Sequence, residues 1–313
     1  MNNNSISVSV AIRNFADNNK EIMKTLESKG YAIKINKSGK RLEGQYLAEF
    51  IKDSDAVIAG TEKYTKDILC AAKTIKVISR VGIGIDNIDL DYASLNNIRV
   101  LNTPEPPADA VAEHTMALLL SLLKNIPLYD AQTRNKIWDP LRGYMLKNKT
   151  VGVLGLGRIG RRVASLCNAF GCKVIGYDPY VSSGIANIEI KNRLDELLES
   201  SDIITVHVPL TNQTRSYISD NEINMMKDGV FILNTSRGGI INEDALHRGL
   251  LCGKIAGAGL DVFEVEPYDG KLLGLKNVVL TPHAATNALE ARMNMETEAV
   301  YNMIRELETL NHI

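Results

Sequence analysis

Three polar residues occupy positions from which they could do chemistry. Arg237 lies in Asn-Thr-Ser-Arg-Gly-Gly at 234–239, Glu266 in Asp-Val-Phe-Glu-Val-Glu-Pro at 261–267, and His283 in Leu-Thr-Pro-His-Ala-Ala at 280–285. Each follows a short apolar run that predicts a strand. Because ligands of open α/β sheets bind outside the carboxyl ends of strands, we expect these three side chains at one rim of a sheet.

These groups suit the reduction of a 2-oxo acid. When a hydride reaches the carbonyl carbon, the carbonyl oxygen needs a proton, and histidine is the side chain that can donate one near neutral pH. A carboxylate beside the imidazole orients it and favours its protonated form, the role predicted for Glu266. The planar fork of Arg237 suits the substrate carboxylate better than a lysine would.

Other interpretations of the same residues stay open. A single histidine after a strand is usually structural, and Arg237 could form a surface ion pair. Glu264 competes with Glu266 for the carboxylate role. Of the remaining histidines, His114 is predicted to be packed in a helix and His207 to lie near a cofactor. His247 and His312 are predicted to be solvated.

A glycine-rich turn between residues 150 and 160 predicts a dinucleotide site. The segment reads Thr-Val-Gly-Val-Leu-Gly-Leu-Gly-Arg-Ile-Gly, a strand that leads through G-x-G-x-x-G into a helix. Gly155 permits the tight turn, Gly157 lets a pyrophosphate approach, and Gly160 lets the helix pack on the strand. Asp178 follows the next predicted strand, where a carboxylate binds ribose hydroxyls and repels a 2′-phosphate. The motif therefore favours NAD over NADP.

Strands and helices alternate along almost the whole chain. Strands are predicted at 7–12, 31–35, 56–59, 77–79, 100–102, 150–154, 173–177, 203–208, 230–234, 255–260 and 278–281. Helices are predicted at 19–29, 66–72, 108–124, 158–170, 193–199, 220–226, 243–251 and 288–310. This rhythm is typical of an α/β fold with open parallel sheets. The helix at 108–124 is apolar nearly all round, so we expect a second surface to cover it, preferably a subunit interface.

Composition excludes several classes of protein. The chain has 313 residues, so two domains are expected, and its net charge of −1 gives no reason to predict a nucleic-acid partner. The densest apolar run, at 116–123, is too short to cross a membrane, and the N-terminus lacks the pattern of a signal peptide. The four cysteines show no metal-ligand spacing, so we predict no metal and instead reduced, buried thiols in a cytoplasmic protein.

At nine places the sequence resembles the D-isomer-specific 2-hydroxyacid dehydrogenase family, and most of all its phosphoglycerate dehydrogenase branch. The matching segments are 81–89, 102–104, 111–114, 155–160, 177–179, 207–210, 234–239, 261–267 and 281–283. The resemblance implies that Arg237, Glu266 and His283 are catalytic. It places around NAD the residues Gly155, Gly157, Arg158, Ile159, Gly160, Asp178, Val208, Thr235, Ser236, Asp261 and Ala285.

The resemblance also implies a substrate site and an architecture. Val81, Gly82 and Ile83 would offer backbone N–H groups to a substrate carboxylate, with Arg80 as a further anion partner. The fold would be two Rossmann-like, doubly wound parallel-sheet domains with a cleft between them. Residues 1–103 and 284–313 would form the substrate domain and 104–283 the NAD domain, and two copies would form a homodimer.

Two departures leave the substrate open. The regulatory C-terminal domains of the longer phosphoglycerate dehydrogenases do not follow residue 313, and the arginine that classical members carry at 57–61 is replaced by residues such as Ala59 and Gly60. D-3-phosphoglycerate is the first candidate, and hydroxypyruvate, glyoxylate or a sugar acid are alternatives. An NADH-sensing corepressor uses a similar fold and is the rival of another class. A formate or phosphite dehydrogenase usually pairs its histidine with glutamine, so Glu266 argues against it.

Overall fold

The structure is a computed structural model of the chain and describes residues 5–311. His312, predicted to be solvated, lies outside these residues. The chain divides into two compact units. The first contains the described residues up to Pro107 and those from Asn287 onward, and the second is Ala108–Thr286. Within residues 5–311, no helix is long and apolar enough to cross a membrane. The same residues contain no group of three or more His, Cys, Asp or Glu side chains able to hold a metal ion.

The first unit is a parallel five-stranded sheet with helices. Its strands are β1 (Ser7–Val10), β2 (Ala32–Ile35), β3 (Ala56–Ala59), β4 (Val77–Arg80) and β5 (Arg99–Leu101), in the order β2-β1-β3-β4-β5. Its helices are α1 (Lys20–Ser28), α2 (Gly44–Ile51), α3 (Lys66–Ala71), α4 (Leu90–Leu95) and α11 (Leu289–Asn311). All of β3 is buried, as expected for a central strand of a parallel sheet covered on both faces.

The C-terminal helix α11 completes the core of this first unit. Its apolar side chains pack with those of β1, β3 and β4; they are Met295, Ala299, Val300, Met303, Ile304 and Leu307. The buried hydroxyl of Ser79 on β4 also donates to the Ala299 carbonyl oxygen at 2.7 Å. Residues from both ends of the sequence therefore build one hydrophobic core.

The second unit is a parallel seven-stranded sheet. Its strands are β6 (Thr150–Leu154), β7 (Lys173–Tyr177), β8 (Glu189–Ile190), β9 (Ile203–Val206), β10 (Val230–Asn234), β11 (Ile255–Leu260) and β12 (Val278–Leu280), in the order β12-β11-β10-β9-β6-β7-β8. Its helices are α5 (Pro107–Leu123), α6 (Ile126–Arg134), α7 (Arg158–Ala169), α8 (Leu194–Ser200), α9 (Asp220–Met225) and α10 (Glu243–Leu251), with a 3₁₀ helix at Lys271–Gly274. The strand order reverses between β6 and β9, the point where such sheets bind dinucleotides. The predicted α/β fold class of parallel-sheet units is confirmed.

Most of the apolar surface of helix α5 is covered within its own unit, although Ala117 is exposed and Leu120 is half-buried. The subunit interface expected at this helix stays a prediction. The apolar side chains of the helix pack within a single chain, against β6, α7 and neighbouring strands, and those of Val111, Ala112, Met116, Leu118, Leu119, Leu122 and Leu123 are all buried. One unit can cover this helix because it lies between elements that contact it on several sides. A second subunit is therefore not needed to explain its composition.

The prediction for the cysteines was half right. Cys167 and Cys172 are buried, but Cys70 and Cys252 are exposed, and all four are free thiols. The exposed pair lies at or beyond the ends of short helices, Cys70 in α3 and Cys252 at the C-terminal cap of α10. A sequence pattern that places a residue at a helix end does not fix which way its side chain faces.

Candidate active site

Three neighbouring strands deliver the predicted catalytic residues to one edge of the second unit. β10, β11 and β12 are parallel, and their last residues are in register, Asn234 beside Leu260 and Leu260 beside Leu280. Arg237 follows the first of these strand ends, Glu266 the second and His283 the third. The predicted arrangement of three loops at one rim is the arrangement in the structure.

His283 and Glu266 form a pair. The His283 Nδ1 atom lies 2.9 Å from Glu266 Oε2, and both side chains are partly exposed. The other carboxylate oxygen, Oε1, accepts a hydrogen bond from the Phe263 amide at 3.1 Å. Burial acts to raise the pKa of Glu266, but the hydrogen bond and charge of His283, together with that amide, outweigh it, so the pKa lies below its ordinary value.

The geometry separates Glu266 from its competitor. Glu264 Oε1 accepts a hydrogen bond from Arg215 Nη1 at 3.2 Å, and its amide donates to Glu243. Glu266, two residues later, is the carboxylate that meets the imidazole of His283. The competing assignment of Glu264 therefore has no geometric support.

Arg237 lies in a turn that Asn234 shapes. The side chain of the buried Asn234 donates through Nδ2 to the Arg237 carbonyl oxygen at 2.8 Å. Its Oδ1 accepts from the main-chain amide and from the hydroxyl of Ser236. The Arg237 guanidinium is half-buried and donates through Nη1 to the Ser236 carbonyl oxygen at 2.7 Å. The turn thus fixes the main chain from which the guanidinium extends.

The glycine-rich turn fits a dinucleotide. Gly155 has φ +95°, and a Cβ there would lie 2.6 Å from the His207 carbonyl oxygen. A Cβ on Gly160 would lie 2.0 Å from the Gly155 carbonyl oxygen, so both positions require glycine. Gly157 instead faces open space at the uncapped start of α7, where backbone N–H groups can meet phosphates. These residues fit NAD.

The other predicted cofactor residues differ in exposure. Arg158 is exposed, whereas Ile159, Val208, Ser236 and Asp178 are half-buried. The Asp178 carboxylate accepts from the amides of Leu156 and Tyr180 at 2.8 and 2.9 Å, so it lies beside the glycine turn. Three further residues, Thr235, Asp261 and Ala285, are buried. Their predicted contact with the cofactor stays a prediction.

Two histidines that the sequence left aside have defined environments. His207 Nε2 lies 2.8 Å from Thr205 Oγ1, and burial lowers the pKa of His207 to about 3. Burial therefore favours the neutral form of this ring, and the Glu266 carboxylate lies beside His283 instead. His114 on α5 is not merely packed: its Nε2 lies 3.0 Å from Thr281 Oγ1 and 3.4 Å from Asp261 Oδ1.

The predicted substrate residues lie in the first unit, after β4. Arg80 ends that strand and donates through Nη1 to the Val81 carbonyl oxygen at 2.7 Å. The Val81 amide donates to Ala59 and the Gly82 amide to Thr103 Oγ1, so both are already engaged. Gly82 has φ +135°, and the Arg80 guanidinium covers the place where a Cβ would be. Of the amides predicted to bind the substrate carboxylate, the Ile83 amide is therefore the remaining candidate.

The comparisons with known proteins agree with this geometry. A family profile described as "D-isomer specific 2-hydroxyacid dehydrogenase, NAD binding domain" matches residues 116–285, more than half of the chain. The chain belongs to this family. The prediction of an NAD-binding domain is confirmed.

Individual relatives in this family have several named activities. The chain is 44% identical to a D-3-phosphoglycerate dehydrogenase of Methanocaldococcus jannaschii over 80% of its own length and 49% of that protein. It is 42% identical to a hydroxypyruvate reductase of Thermotoga maritima over 86% of its own length and 90% of that protein. It therefore spans about half the length of that phosphoglycerate dehydrogenase and nearly all of the reductase.

A solved structure of the family has the same fold. The D-lactate dehydrogenase of Aquifex aeolicus, determined with NAD and lactic acid, has a TM-score of 0.85 and 29% sequence identity. The match covers 97% of this chain and 96% of that one. The similarity extends over both units.

Proposed function

We propose that this family member is an NAD-dependent oxidoreductase that interconverts a D-2-hydroxy acid and its 2-oxo acid. The observation that carries the proposal is the contact between His283 Nδ1 and Glu266 Oε2 at the strand edge from which Arg237 also extends. NADH supplies the hydride. His283 donates a proton to the carbonyl oxygen during reduction and accepts it during oxidation, Glu266 orients the ring, and Arg237 binds the substrate.

The residues around the cofactor are part of the same proposal. The start of α7, with Gly155, Gly157, Arg158, Ile159 and Gly160, holds the pyrophosphate, and Asp178 binds the ribose hydroxyls. Ile83 and Arg80 are proposed to contact the substrate carboxylate. The first unit is then the substrate domain and the second the NAD domain.

The substrate is proposed to be a small 2-oxo acid without a phosphate group, such as hydroxypyruvate. Gly60 stands in the segment where classical phosphoglycerate dehydrogenases have an arginine, and its amide donates to the buried Glu62 carboxylate at 2.7 Å. A buried carboxylate there would repel a phosphate dianion. The similarity to the hydroxypyruvate reductase, which extends over 90% of that protein, supports the same choice. D-3-phosphoglycerate is the second candidate, because the chain is 44% identical to a D-3-phosphoglycerate dehydrogenase.

The test is NADH oxidation with matched pairs of oxo acids, above all hydroxypyruvate and 3-phosphohydroxypyruvate. We expect turnover with at least one, and a higher kcat/KM for hydroxypyruvate. His283→Ala should lower kcat by about 10²–10⁴ with little change in NADH affinity. NADH binding without turnover of any oxo acid would instead favour the NADH-sensing protein. Preference for the phosphorylated compound would restore the second candidate.

We also propose a cytoplasmic homodimer. Large apolar side chains are exposed on α6 and in the adjoining residues 137–145, a surface formed by Ile126, Ile137, Trp138, Leu141, Tyr144 and Met145. Trp138 is 88% exposed, which is unusual for this residue type unless a partner covers it. The free thiols of Cys70 and Cys252 are consistent with a reducing compartment.

A further inference from the structure

The main chain around His283 has an uncommon conformation that needs support. His283 has φ +53°, a left-handed conformation that residues other than glycine seldom adopt. Such conformations persist only where neighbouring groups hold them. The groups that hold this one therefore determine where the imidazole lies.

Asp261, the residue after β11, supplies that support. Its carbonyl oxygen accepts from the His283 amide at 2.8 Å. Its carboxylate oxygens accept from the next two amides, Oδ1 from Ala284 at 2.8 Å and Oδ2 from Ala285 at 2.9 Å. Three successive amides are thus bound by one buried residue.

The Asp261 carboxylate is in turn held from outside this segment. Thr281 Oγ1 lies 2.5 Å from Asp261 Oδ1, and His114 Nε2 lies 3.0 Å from the same hydroxyl. Because an ionised carboxylate can only accept, Thr281 donates to it and must then accept from His114. The hydrogen bonds therefore run from His114 to Thr281 to Asp261. Burial acts to raise the pKa of Asp261, but these donors and the two amides outweigh it and lower the pKa.

We propose that His114 and Thr281 are positioning residues for the catalytic His283 and act on it through Asp261. Asp261 is buried, and its carboxylate accepts from two of the protein's own amides. His114 comes from α5, a different element from the one that carries His283, so it anchors the end of β12 to a helix within the same unit. The inference rests on the proposed function, in which His283 transfers the proton.

The threonine offers a matched pair of variants. Thr281→Val keeps the shape of the side chain but removes the hydroxyl that donates to the carboxylate, whereas Thr281→Ser keeps the hydroxyl. We expect Thr281→Val to lower kcat by about 10- to 100-fold, the effect of a small displacement of a catalytic group. Thr281→Ser should stay within about threefold of wild type. NADH affinity, measured by fluorescence, should be unchanged in both variants. Thr25→Val on α1 is the control, because it removes another threonine hydroxyl that donates to a main-chain carbonyl oxygen.

A spectroscopic readout makes the test independent of activity. The chain has five histidines, so the ring nitrogen resonances of His283 can be assigned in protein labelled only at histidine. Thr281→Val should move these resonances, and Thr281→Ser should not. If wild type reduced no oxo acid, the proposed function would fail, but this comparison would still decide whether Thr281 positions His283.

His114 provides the second arm. His114→Leu should reduce kcat in the same direction. The loss in the double variant with Thr281→Val should be smaller than the two single losses combined, because both residues act through one carboxylate. If Thr281→Val does not fold, His114→Leu decides by the same kcat and resonance measurements. Wild-type kcat and unchanged His283 resonances in the folded variants would overturn the inference, as would additive losses in the double variant.

Discussion

The α-carbon of Gly238 faces the main chain of Phe263 so closely that a Cβ on Gly238 would lie 1.9 Å from the Phe263 carbonyl oxygen. Gly238 follows Arg237, and the Phe263 amide binds the Glu266 carboxylate that meets His283. The loop that carries the arginine therefore packs, backbone to backbone, on the loop that carries the glutamate. This contact connects the positions of all three proposed catalytic groups.

Gly238→Ala should impair both activity and stability. The added methyl group must push the two loops apart, and overpacking of this kind costs about 1–3 kcal/mol of the free energy of unfolding. We expect kcat/KM to fall by about tenfold or more, because Arg237 and Glu266 move relative to each other. Steady-state kinetics and urea unfolding measure the two effects. Gly274→Ala is the control, since a Cβ there meets nothing within 4 Å, and equal effects of both substitutions would contradict the prediction.

Glu266→Gln should shift the pH dependence of oxo-acid reduction to lower pH. Because the pKa of Glu266 is lowered, its carboxylate is charged at neutral pH, and this charge lies 2.9 Å from the imidazole of His283. Glutamine keeps the shape but removes the charge, so the activity that depends on a proton held by this pair should be lost at lower pH. The measurement is kcat/KM for reduction across pH in both proteins.

The neighbouring glutamate is the matched control for this shift. Glu264→Gln removes a charge two residues away that pairs with Arg215 instead, so its profile should overlay that of wild type. An unchanged profile in Glu266→Gln, or an equal shift in Glu264→Gln, would show that the His283–Glu266 pair does not control proton transfer.

Asp178→Ala should weaken the preference for NADH over NADPH. The carboxylate lies beside the glycine turn and would repel a 2′-phosphate, so wild type should favour NADH by about tenfold or more in kcat/KM, equivalent to about 1.4 kcal/mol. The variant should narrow this ratio. Asp228→Ala, at an exposed ion pair with Lys254, should leave it unchanged. Equal use of both cofactors by wild type would refute the assignment.

Trp138→Ser should weaken association of the proposed dimer. The side chain is almost fully exposed, and burial of such an area in an interface dominates its energetics. Sedimentation at micromolar concentration should show a dimer for wild type and a larger monomer fraction for the variant. Tyr46→Ser removes another large side chain, 82% exposed in the first unit, and should not change the mass. A wild-type monomer would refute the proposal.

The sequence allowed much of the fold to be predicted, because parallel strands are buried and rich in β-branched residues. The predicted strands 56–59, 150–154, 173–177, 230–234 and 255–260 have the bounds seen in β3, β6, β7, β10 and β11. Five elements were missed, one of them the 3₁₀ helix at Lys271–Gly274. The other four are α2, α4, α6 and β8; none of the apolar side chains of α6 is buried, and β8 has only two residues at the sheet edge. The helix α6 and the strand β8 have little apolar periodicity to reveal them, whereas the buried Leu47 and Ile51 of α2, four residues apart, were an available signal.

The candidate site was predictable in its residue types but not in its supports. Strand ends and the G-x-G-x-x-G spacing identified Arg237, His283 and the glycines, whereas the choice between Glu264 and Glu266 depended on the path of one loop. The link from His114 to Asp261 joins residues 147 positions apart, and no local pattern encodes a contact between such distant parts of a chain. A histidine among the buried apolar residues of α5 was the available signal.

The position of α11 bears on how the protein is made. The sheet β1–β5 is synthesised first, yet the side chains that close its core, from Met295 to Leu307, come from the last part of the described chain. The second unit, whose residues are contiguous, has all its core residues available as soon as its last strand has emerged. We therefore expect the first unit to complete its core only after every residue of the second has been synthesised, although its sheet is synthesised first.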